Sequence, residues 1–314
     1  MNELLARTLV CPKCRGSLTW TEEAVSCTAC QRCYPIVDGI PIMLAAAEDQ
    51  TRPSQSSAHA LQQASFYDEP DDAEWEISRP RTAPRLYRWM LKQKIRRSLR
   101  GLESLPPGAT VLTVCGGSGM EADFLAQTGA LVVSSDISLG AARRAKVRAE
   151  CYGISIIPLV ASADQLPFAD HTIDLVYVHD GLHHTAAPEV VVHEMARVAR
   201  LAVSITEPAQ ALLTEMAMRL GLSPDYAAAG NRIVRLAVDD VEKWLVCSGL
   251  TIHRSARYLM YYKWRPGRYM ELLSSPVLYP LSRATLLLAN LLIGRWGNKF
   301  VVTASYSECA STCE

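Results

Sequence analysis

Two CxxC pairs near the N-terminus have the residue types and the spacing of a metal site. They are Cys11 with Cys14 and Cys27 with Cys30, separated by twelve residues. Together they offer four thiolates to one tetrahedral ion, and Zn²⁺ suits that ligand set best. Protein ligands then fill all four positions, which predicts a structural ion with no chemistry at the metal. The alternative is a set of redox-active or free cysteines, and we interpret Cys33 as a packing residue or a bystander.

A glycine-rich turn in the stretch 110-TVLTVCGGSGME-121 has the pattern of a nucleotide cradle. Gly116, Gly117 and Gly119 separate an apolar run from a helical pattern, and glycine lets the backbone approach a ligand closely. Asp136 ends the next strand-like run, where a carboxylate can accept both hydroxyls of a ribose. Asp164 ends a third run, where a carboxylate could accept a hydrogen bond from an adenine amino group. The G-x-G-x-x-G spacing is absent, which disfavours an NAD enzyme.

The segment 179-HDGLHH-184 offers candidates for a general base. Imidazole titrates near neutrality, which suits proton removal from an acceptor. We predict that His183 or His184 is this base, without choosing between them, and Asp180 is near enough in sequence to orient one of them. His179 is expected to line the cofactor pocket. The alternative for each histidine is packing against the sheet edge.

The elements that must position these residues alternate between strand and helix patterns from residue 109 onward. This alternation predicts an α/β fold with a Rossmann-like, mostly parallel sheet and helices on both faces. Ligands of such sheets bind at the carboxyl ends of the strands. The strand patterns cover 110–115, 131–136, 154–164, 172–180 and 201–208, and the helical patterns cover 120–129, 139–150 and 188–200.

Together these features resemble the class I S-adenosylmethionine-dependent methyltransferases over about residues 105–210. The resemblance implies S-adenosylmethionine as cofactor and methyl transfer as the reaction. The cofactor-binding residues that it implies are Thr113, Cys115, Gly116, Gly117, Gly119, Asp136, Ile137, Ala163, Asp164, Gln165 and His179.

The glycine motif departs from the family's pattern at two positions. Thr113 stands where the family has an acid that helps to hold the ammonium end of the cofactor, and Cys115 also departs. One charge-assisted hydrogen bond contributes roughly 1.5–3 kcal/mol, so its loss weakens binding by one or two orders of magnitude. Glu121 or Asp123, at the start of the next helix, could compensate. The Pro-Gly-Gly turn that the family has before strand five is also absent.

The stretch 34-YPIVDGIPIML-44, taken with the four cysteines, resembles the Trm112-like family of small zinc-binding modules. The resemblance covers about residues 8–45. It implies association with methyltransferases, either as an activating partner or as a fused domain. The role of such a module is structural, through packing, solubility or placement of a substrate.

Nine Lys or Arg residues and no acid fall within residues 79–100. This pattern indicates either a helix with a solvated basic face or a surface that binds phosphate, RNA or lipid head groups. Upstream, the polar stretch 46–65 is typical of a linker. Tyr67 and Trp75 could cover the cofactor as a lid.

The C-terminal part is predicted to close the sheet. Residues 251–262 and 298–306 are expected to form its antiparallel last pair. Cations and aromatics interleave over 257–269 ahead of the leucine-rich 286–293, which suits base stacking, a membrane interface, or simply a strand edge with a core helix. Glu207 could bind substrate or serve only the geometry before Pro208.

These patterns divide the chain into four parts, with cap insertions in the third. The parts are a Trm112-like module over 1–46, a linker and basic helical segment over 47–104, a methyltransferase domain over 105–306 with caps near 209–237 and 263–297, and a disordered tail over 307–314.

The two cap insertions and the segment 179-HDGLHH-184 favour a small-molecule acceptor, and the neutral charge counts against RNA or protein. The formal net charge is zero, so the chain as a whole is not expected to attract polyanions. The start of the chain lacks a signal pattern and the longest apolar run is too short to span a bilayer, which predicts a cytoplasmic protein, with peripheral membrane contact left open. We expect a methyltransferase that acts on a small molecule. The alternatives are methylation of RNA or protein and a non-catalytic scaffold that binds S-adenosylmethionine.

Overall fold

The protein is built around one long mixed sheet. The computed structural model describes residues 2–44, 55–68, 72–103, 105–210 and 235–306, and the structural statements below concern those residues. The strands are β1 (Leu18–Trp20), β2 (Ala24–Cys27), β3 (Cys33–Val37), β4 (Ile40–Met43), β5 (Thr110–Val114), β6 (Leu131–Asp136), β7 (Ile156–Ala161), β8 (Ile173–His179), β9 (Ala199–Pro208), β10 (Leu250–Tyr258) and β11 (Lys299–Tyr306). Their order in the sheet is β1-β2-β3-β4-β7-β6-β5-β8-β9-β11-β10.

The centre of the sheet is parallel. Strands β7, β6, β5, β8 and β9 pair in parallel, and β11 and β10 add two antiparallel strands at the edge. Every residue of β8 is buried, as expected for a strand covered on both faces. The predicted α/β class with a mostly parallel sheet is therefore confirmed, and so is the antiparallel last pair.

Local sequence sets the helix ends. The Ser138 hydroxyl accepts a hydrogen bond from the Ala141 N–H at 2.9 Å and caps one helix, which ends at Gly153 in the left-handed conformation. The described helices are α1 (Glu3–Thr8), α2 (Gln55–Asp68), α3 (Ala73–Ser78), α4 (Arg85–Ser98), α5 (Met120–Ala126), α6 (Leu139–Tyr152), α7 (Pro188–Val198), α8 (Val238–Cys247), α9 (Arg268–Leu273) and α10 (Leu278–Ile293).

The N-terminal segment is a meander that extends the central sheet. Strands β1 to β4 pair antiparallel in sequence order. Asp38 and Gly39 both have positive φ, 54° and 76°, which is the backbone of a tight hairpin turn between β3 and β4. Strand β4 then pairs in parallel with β7, where Ile42 faces Val160. The segment is thus continuous with the parallel sheet.

Side chains of the N-terminal segment and of the parallel sheet share one core. Leu5, Tyr34 and Met43 belong to the same buried cluster as Leu112 and Phe168. A backbone hydrogen bond of 2.9 Å from the N–H of residue 10 to the carbonyl of residue 167 and an ion pair of 3.0 Å between the side chains of residues 15 and 170 reinforce this contact. Unfolding of the segment would therefore expose part of the large core.

Helix α2 occupies part of the segment for which the composition predicts a linker. Residues 45–54 lie outside the described part of the chain, but Gln55–Asp68 is helical, so the linker prediction is wrong there. The physical reason is the anchoring of its end. The Asp68 carboxylate accepts hydrogen bonds from the Ser138 hydroxyl at 2.7 Å and from the Gly140 N–H at 2.8 Å. This places α2 over the start of α6.

The insertion between the last two strands contains α9 and α10, and both helices pack on α4. The predicted cap near 209–237 lies mainly outside the described residues, since 211–234 are not described, and the same holds for the tail 307–314. Among the described helices, none combines the length and the apolar character needed to cross a membrane.

Candidate functional site

A cavity of about 440 Å³ lies at the carboxyl ends of β5, β6, β7 and β8. This is the edge at which the ligands of parallel sheets bind. Segments far apart in the sequence wall it, including the end of α2, the glycine turn after β5, the turn after β8 and the start of β11. The histidine segment and the two predicted acids meet there.

The glycine turn is tight for a steric reason. A Cβ built at Gly116 would lie 2.4 Å from the Ser134 hydroxyl oxygen, so a larger residue would displace the neighbouring strand. Cys115, Gly117 and Gly119 all have positive φ, at 52°, 53° and 74°. Cys115, Gly116 and Gly117 line the cavity, which exposes backbone there to a ligand.

Asp136 is held at the cavity wall by two backbone donors. Its carboxylate accepts hydrogen bonds from the Gly117 N–H at 2.8 Å and from the Ser138 N–H at 3.0 Å. A carboxylate has about four acceptor positions, so further hydroxyl groups can bind the same side chain. Burial in the cavity raises the pKa of Asp136, although the two backbone donors act in the opposite direction. Ile137 also lines the cavity.

The segment after β7 contributes a second wall. Ala163 and Asp164 line the cavity, and the Asp164 carboxylate accepts a hydrogen bond from the Ser162 hydroxyl. Gln165 is exposed and does not line the cavity, so the structure does not bring this predicted cofactor residue to the site. The reason is the turn at 162–165, where the Gln165 N–H bonds back to the Ser162 carbonyl at 3.2 Å and the side chain lies outside.

Thr113 lies beneath the glycine turn and does not line the cavity. It is buried, and its hydroxyl donates to the Ser134 hydroxyl oxygen at 3.1 Å. The prediction of a cofactor contact by Thr113 is therefore not met, since the residue packs under Gly116. Of the two acids proposed to replace its missing charge, Glu121 lines the cavity. Asp123 does not, because it is buried and paired with Arg81, 2.8 Å away.

The two adjacent histidines have different surroundings. His184 lines the cavity, and its Nε2 is 3.5 Å from the Tyr67 hydroxyl. His183 lies behind it, where its Nδ1 is 2.8 Å from a carboxylate oxygen of Glu207. Burial raises the pKa of Tyr67 to about 12, so this phenol keeps its proton at neutral pH. Of the two predicted bases, only His184 faces the cavity.

Glu207 does not line the cavity, so the structure does not bring it to the place of a substrate ligand, which the sequence suggests as one alternative. It is fully buried, and one carboxylate oxygen accepts from the N–H groups of Gly181 and Leu182, both at 2.7 Å. Its other oxygen contacts His183. Glu207 thereby fixes the turn that carries His184.

His179 lines the cavity and is buried there. Its Nδ1 is 3.0 Å from the Tyr177 hydroxyl, and its Nε2 is buried with no hydrogen-bond partner in the described part of the chain. Burial, together with the nearby Lys94 cation, holds the pKa of His179 well below its usual value. Asp180 lies beside His179, 3.7 Å from its Nε2, and pairs with lysines, so it does not orient the other histidines as proposed.

A cluster of charged side chains lines the cavity, and the sequence did not predict that these side chains meet there. The Lys94 ammonium lies 2.8 Å from the Tyr262 hydroxyl, 3.2 Å from Glu121 and 3.4 Å from Asp180. Lys299 pairs with Asp180 at 2.5 Å. Although burial alone would raise it, the two lysines hold the pKa of Asp180 well below its usual value.

One signal in the sequence could have identified Lys94. It occupies a position on the buried face of α4, whose other members are mainly apolar, whereas the remaining lysine of the helix, Lys92, is exposed. A lysine on an apolar helix face is rarely buried without a partner. The buried residues of this face are Leu86, Tyr87, Met90, Leu91, Lys94, Ile95 and Ser98.

Replacement of Lys94 by methionine is expected to lower the free energy of unfolding by about 3 kcal/mol, because it removes the buried ammonium that pairs with Glu121 and Asp180 and leaves Asp180 with Lys299 alone. Urea denaturation at neutral pH measures the change. Lys92→Met on the exposed face of the same helix is the control and should shift it by less than about 0.5 kcal/mol. Equal effects of the two substitutions would contradict this description of the cluster.

Two arginines of α6 hold the end of α2 and the segment after α3 against the cavity. The Arg144 guanidinium donates to the Tyr67 carbonyl at 2.6 Å, and the Arg148 guanidinium donates to the Arg79 carbonyl at 2.7 Å. Tyr67 lines the cavity, as a lid residue would. Trp75 does not, because it is buried among other aromatics and its indole N–H donates to the Trp264 carbonyl.

The four predicted metal ligands come together. The sulfurs of Cys11, Cys14, Cys27 and Cys30 all lie within 4.8 Å of one another, and the Cys11–Cys30 and Cys14–Cys27 sulfur separations are 3.6 and 3.4 Å. A tetrahedral ion with bonds of about 2.3 Å requires roughly 3.8 Å between sulfurs, so the arrangement fits Zn²⁺. Cys33 is exposed and lies outside the group.

Comparison with known families agrees with both resemblances seen in the sequence. Residues 112–202 match the methyltransferase domain family, and residues 2–39 match the Trm112p-like protein family. The predicted resemblances to class I methyltransferases and to Trm112-like modules are therefore confirmed.

Curated relatives match the methyltransferase part of the chain. A demethylmenaquinone methyltransferase of Corynebacterium urealyticum is 36% identical over 106 residues, which is 33% of this chain and 43% of that protein. The enzyme of the same name from Mycobacterium marinum is 32% identical over 105 residues, which is 33% of this chain and 43% of that protein. The chain thus spans less than half the length of these relatives.

Among solved structures, magnesium protoporphyrin IX methyltransferase from Synechocystis with bound S-adenosylmethionine superposes with a TM-score of 0.51. The identity is 17%, and the alignment covers 79% of this chain and 97% of that one. At this identity the likeness concerns the fold.

Proposed function

We propose that this chain, which contains a methyltransferase domain over residues 112–202 and a Trm112p-like domain over residues 2–39, transfers a methyl group from S-adenosylmethionine to a small-molecule acceptor. The observation that carries the proposal is the wall formed by the glycine turn and Asp136 at the carboxyl ends of the parallel strands. The cytoplasmic localisation predicted from the sequence belongs to the same proposal.

The residues of the cavity fit an adenosyl cofactor. Asp136 has acceptor capacity for two ribose hydroxyls, and Asp164 with Ala163 can border the adenine. Glu121 offers the negative charge that Thr113 lacks, and it would hold the ammonium end of the cofactor. When bound, S-adenosylmethionine supplies an electrophilic methyl group, so the protein need only position the acceptor and move its proton.

A small aromatic acceptor suits the rest of the cavity. Tyr67, Tyr262, Trp264 and Met260 provide apolar and aromatic walls beside His184. The two relatives described above carry the name demethylmenaquinone methyltransferase, which supports the proposal of a quinone-type acceptor for this chain. The RNA alternative is weaker because part of the basic segment is turned inward, since the residue 79 and residue 94 side chains both line the cavity.

We propose that His184 is the general base and that Glu207 holds its turn in place. The Tyr67 hydroxyl lies 3.5 Å from Nε2 of His184 and helps to position the ring beside the cavity. His184→Gln is expected to lower kcat by about 10²-fold or more while leaving the affinity for S-adenosylhomocysteine within a few fold. Transfer of labelled methyl to a demethylated naphthoquinol measures kcat, and calorimetry measures the affinity.

His183→Gln is the matched control for this experiment. His183 contacts Glu207 and does not line the cavity. Its replacement should therefore lower the free energy of unfolding, while kcat should fall much less than it does in His184→Gln. A larger loss of kcat in His183→Gln than in His184→Gln would overturn the assignment of the base.

The raised pKa of Asp136 predicts pH-dependent cofactor binding. Burial makes this carboxyl take up a proton at a higher pH than an ordinary aspartate, and a protonated carboxyl is a weaker acceptor for ribose hydroxyls. Affinity for S-adenosylhomocysteine should therefore start to fall, as the pH is lowered, before an ordinary Asp, whose pKa is about 3.9, becomes protonated. Calorimetry at several pH values measures the trend, and Asp136→Asn should abolish it. A pH-independent affinity in the unmodified protein would contradict the prediction.

We also propose that the Trm112p-like domain binds one structural Zn²⁺ through Cys11, Cys14, Cys27 and Cys30. The proposal is supported by the separations of the four sulfurs and by the ligand chemistry. With all four positions taken by protein, the ion would stabilise the fold of β1 to β4 and would take no part in methyl transfer.

A further inference from the structure

We propose that α10 and the exposed side of α4 form a docking surface for an anionic lipid bilayer. This surface lies outside the cofactor wall, and docking does not depend on methyl transfer. The inference rests on an apolar helix face, a row of cations beside it, and the position of both relative to the cavity.

The apolar component is one face of α10. Leu281, Leu288 and Leu292 are 62%, 55% and 64% exposed, and their spacing of seven and four residues puts them on one side of the helix. Leu291 beside them is 81% exposed. The only buried residue of α10 is Tyr279, and these four leucines are left uncovered by the described part of the chain.

The basic component is one face of α4. Arg85, Arg88, Lys92 and Arg96 are all exposed, and their intervals of three, four and four residues align them along the helix. Helix α4 has no acidic residue to offset them. The cations thus form a continuous positive row.

The two components are adjacent. The Arg283 guanidinium of α10 lies over the Trp89 ring of α4 at 5.2 Å, and the Arg85 guanidinium of α4 lies over the Tyr279 ring of α10 at 4.0 Å. These contacts place α10 beside the cationic row of α4, and the exposed leucines lie on the side of α10 that faces away from these contacts. The two helices together therefore present exposed leucines and, beside them, a row of cations that no acidic residue of α4 offsets.

The combination selects a bilayer over other occupants. A second copy of the chain would cover the leucines, but a symmetric contact would bring two positive rows together. A nucleic acid would pair with the cations but would leave the leucines in water. At an anionic bilayer, leucines can enter the boundary of the acyl chains while arginine and lysine meet the lipid phosphates.

The insertion that contains α10 also contributes residues to the cavity. Tyr261 and Trp264 line the cavity, are 61% and 43% exposed, and precede α9 and α10 in the same insertion. Tyrosine and tryptophan are the side chains that favour a membrane interface. If the proposed function holds, this arrangement would let a membrane-borne acceptor reach the cavity, and that consequence alone depends on the proposed function.

Sedimentation with vesicles tests the proposal on the full chain. We expect the protein to pellet with phosphatidylcholine vesicles that contain about one third phosphatidylglycerol, and to partition on the order of tenfold less onto pure phosphatidylcholine. The double variant Leu288→Glu/Leu292→Glu and the double variant Arg88→Glu/Lys92→Glu should each lower the partition coefficient on the anionic vesicles by on the order of tenfold or more.

A matched control separates this surface from general hydrophobicity. Val246 on α8 is 56% exposed, so Val246→Glu changes an exposed apolar side chain elsewhere and should leave partitioning unchanged. Affinity for S-adenosylhomocysteine and the melting temperature, measured on each variant, verify that the fold is intact. If this affinity is absent in every variant and in the unmodified protein, the proposed function fails while the vesicle result still decides docking.

Three results would overturn the proposal. The first is a protein that stays in the supernatant with anionic vesicles. The second is equal loss of partitioning in Val246→Glu and in the leucine double variant. The third is a dimer in the absence of lipid that dissociates in the leucine double variant, because that would identify a second copy as the occupant.

Discussion

Asp136→Ala is expected to weaken S-adenosylhomocysteine binding by at least about a hundredfold. The proposed contacts are two hydrogen bonds from ribose hydroxyls to one carboxylate, and each such bond contributes roughly 1.5–3 kcal/mol. Their joint loss of about 3 kcal/mol corresponds to two orders of magnitude in the dissociation constant. Isothermal titration calorimetry measures the change directly.

Two further variants separate binding from support of the turn. Asp136 also accepts from the N–H groups of Gly117 and Ser138, so its removal loosens the glycine turn as well. Asp136→Asn keeps one oxygen acceptor and should have a smaller effect. Asp164→Ala should also cost less, because Asp164 is exposed. Undiminished affinity in Asp136→Ala would show that the adenosyl group binds elsewhere.

Removal of zinc is expected to unfold β1 to β4 and to destabilise the large domain with them. Apparent binding free energies of structural zinc sites are on the order of 10–16 kcal/mol, which exceeds what four short strands can supply. The effect should spread because β4 pairs with β7 and because Leu5, Tyr34 and Met43 lie in the main core. We expect Cys27→Ser to lower the melting temperature by about 10 °C or more.

The chain provides its own control for this prediction. Cys33 is exposed and lies outside the four-sulfur group, so Cys33→Ser should leave the metal content and the melting temperature unchanged. Metal content per chain is measured by atomic emission. A purified protein without zinc that melts like a zinc-loaded sample would contradict the proposal. Loss of β1 to β4 with an unchanged melting transition of the rest would contradict the shared core.

Features that depend on neighbouring residues were predictable from the sequence. The glycine turn, Asp136 and Asp164 each lie where a strand ends, and strand ends follow from apolar runs and turn residues. The carboxyl ends of parallel strands meet at one edge, so their common location follows as well. The CxxC pairs were readable for the same reason, since each pair is a local motif.

Which way a side chain points was not predictable from the sequence. His183 and His184 are adjacent in one short 3₁₀ turn, yet one contacts Glu207 and the other lines the cavity. Gln165 directly follows Asp164, which lines the cavity, and Thr113 comes two residues before Cys115, which also lines it, yet neither Gln165 nor Thr113 reaches the cavity. A shift of one position reverses the direction of a side chain at a strand end, and residue types alone do not resolve it.

Contacts between distant segments could not be predicted from the sequence. Lys94, Asp180 and Lys299 come from three separate regions and meet only because α4, β8 and β11 pack around one cavity. The parallel pairing of β4 with β7 likewise joins residues more than a hundred positions apart. No periodicity within either segment specifies its partner.

The most direct test of the account is a crystal structure of the chain with S-adenosylhomocysteine. The account predicts both ribose hydroxyls within hydrogen-bond distance of the Asp136 carboxylate, the adenine beside Asp164, and the sulfur directed toward the side of the cavity that carries His184. An adenosyl group bound away from the glycine turn, or a cavity that stays empty at saturating ligand, would contradict it.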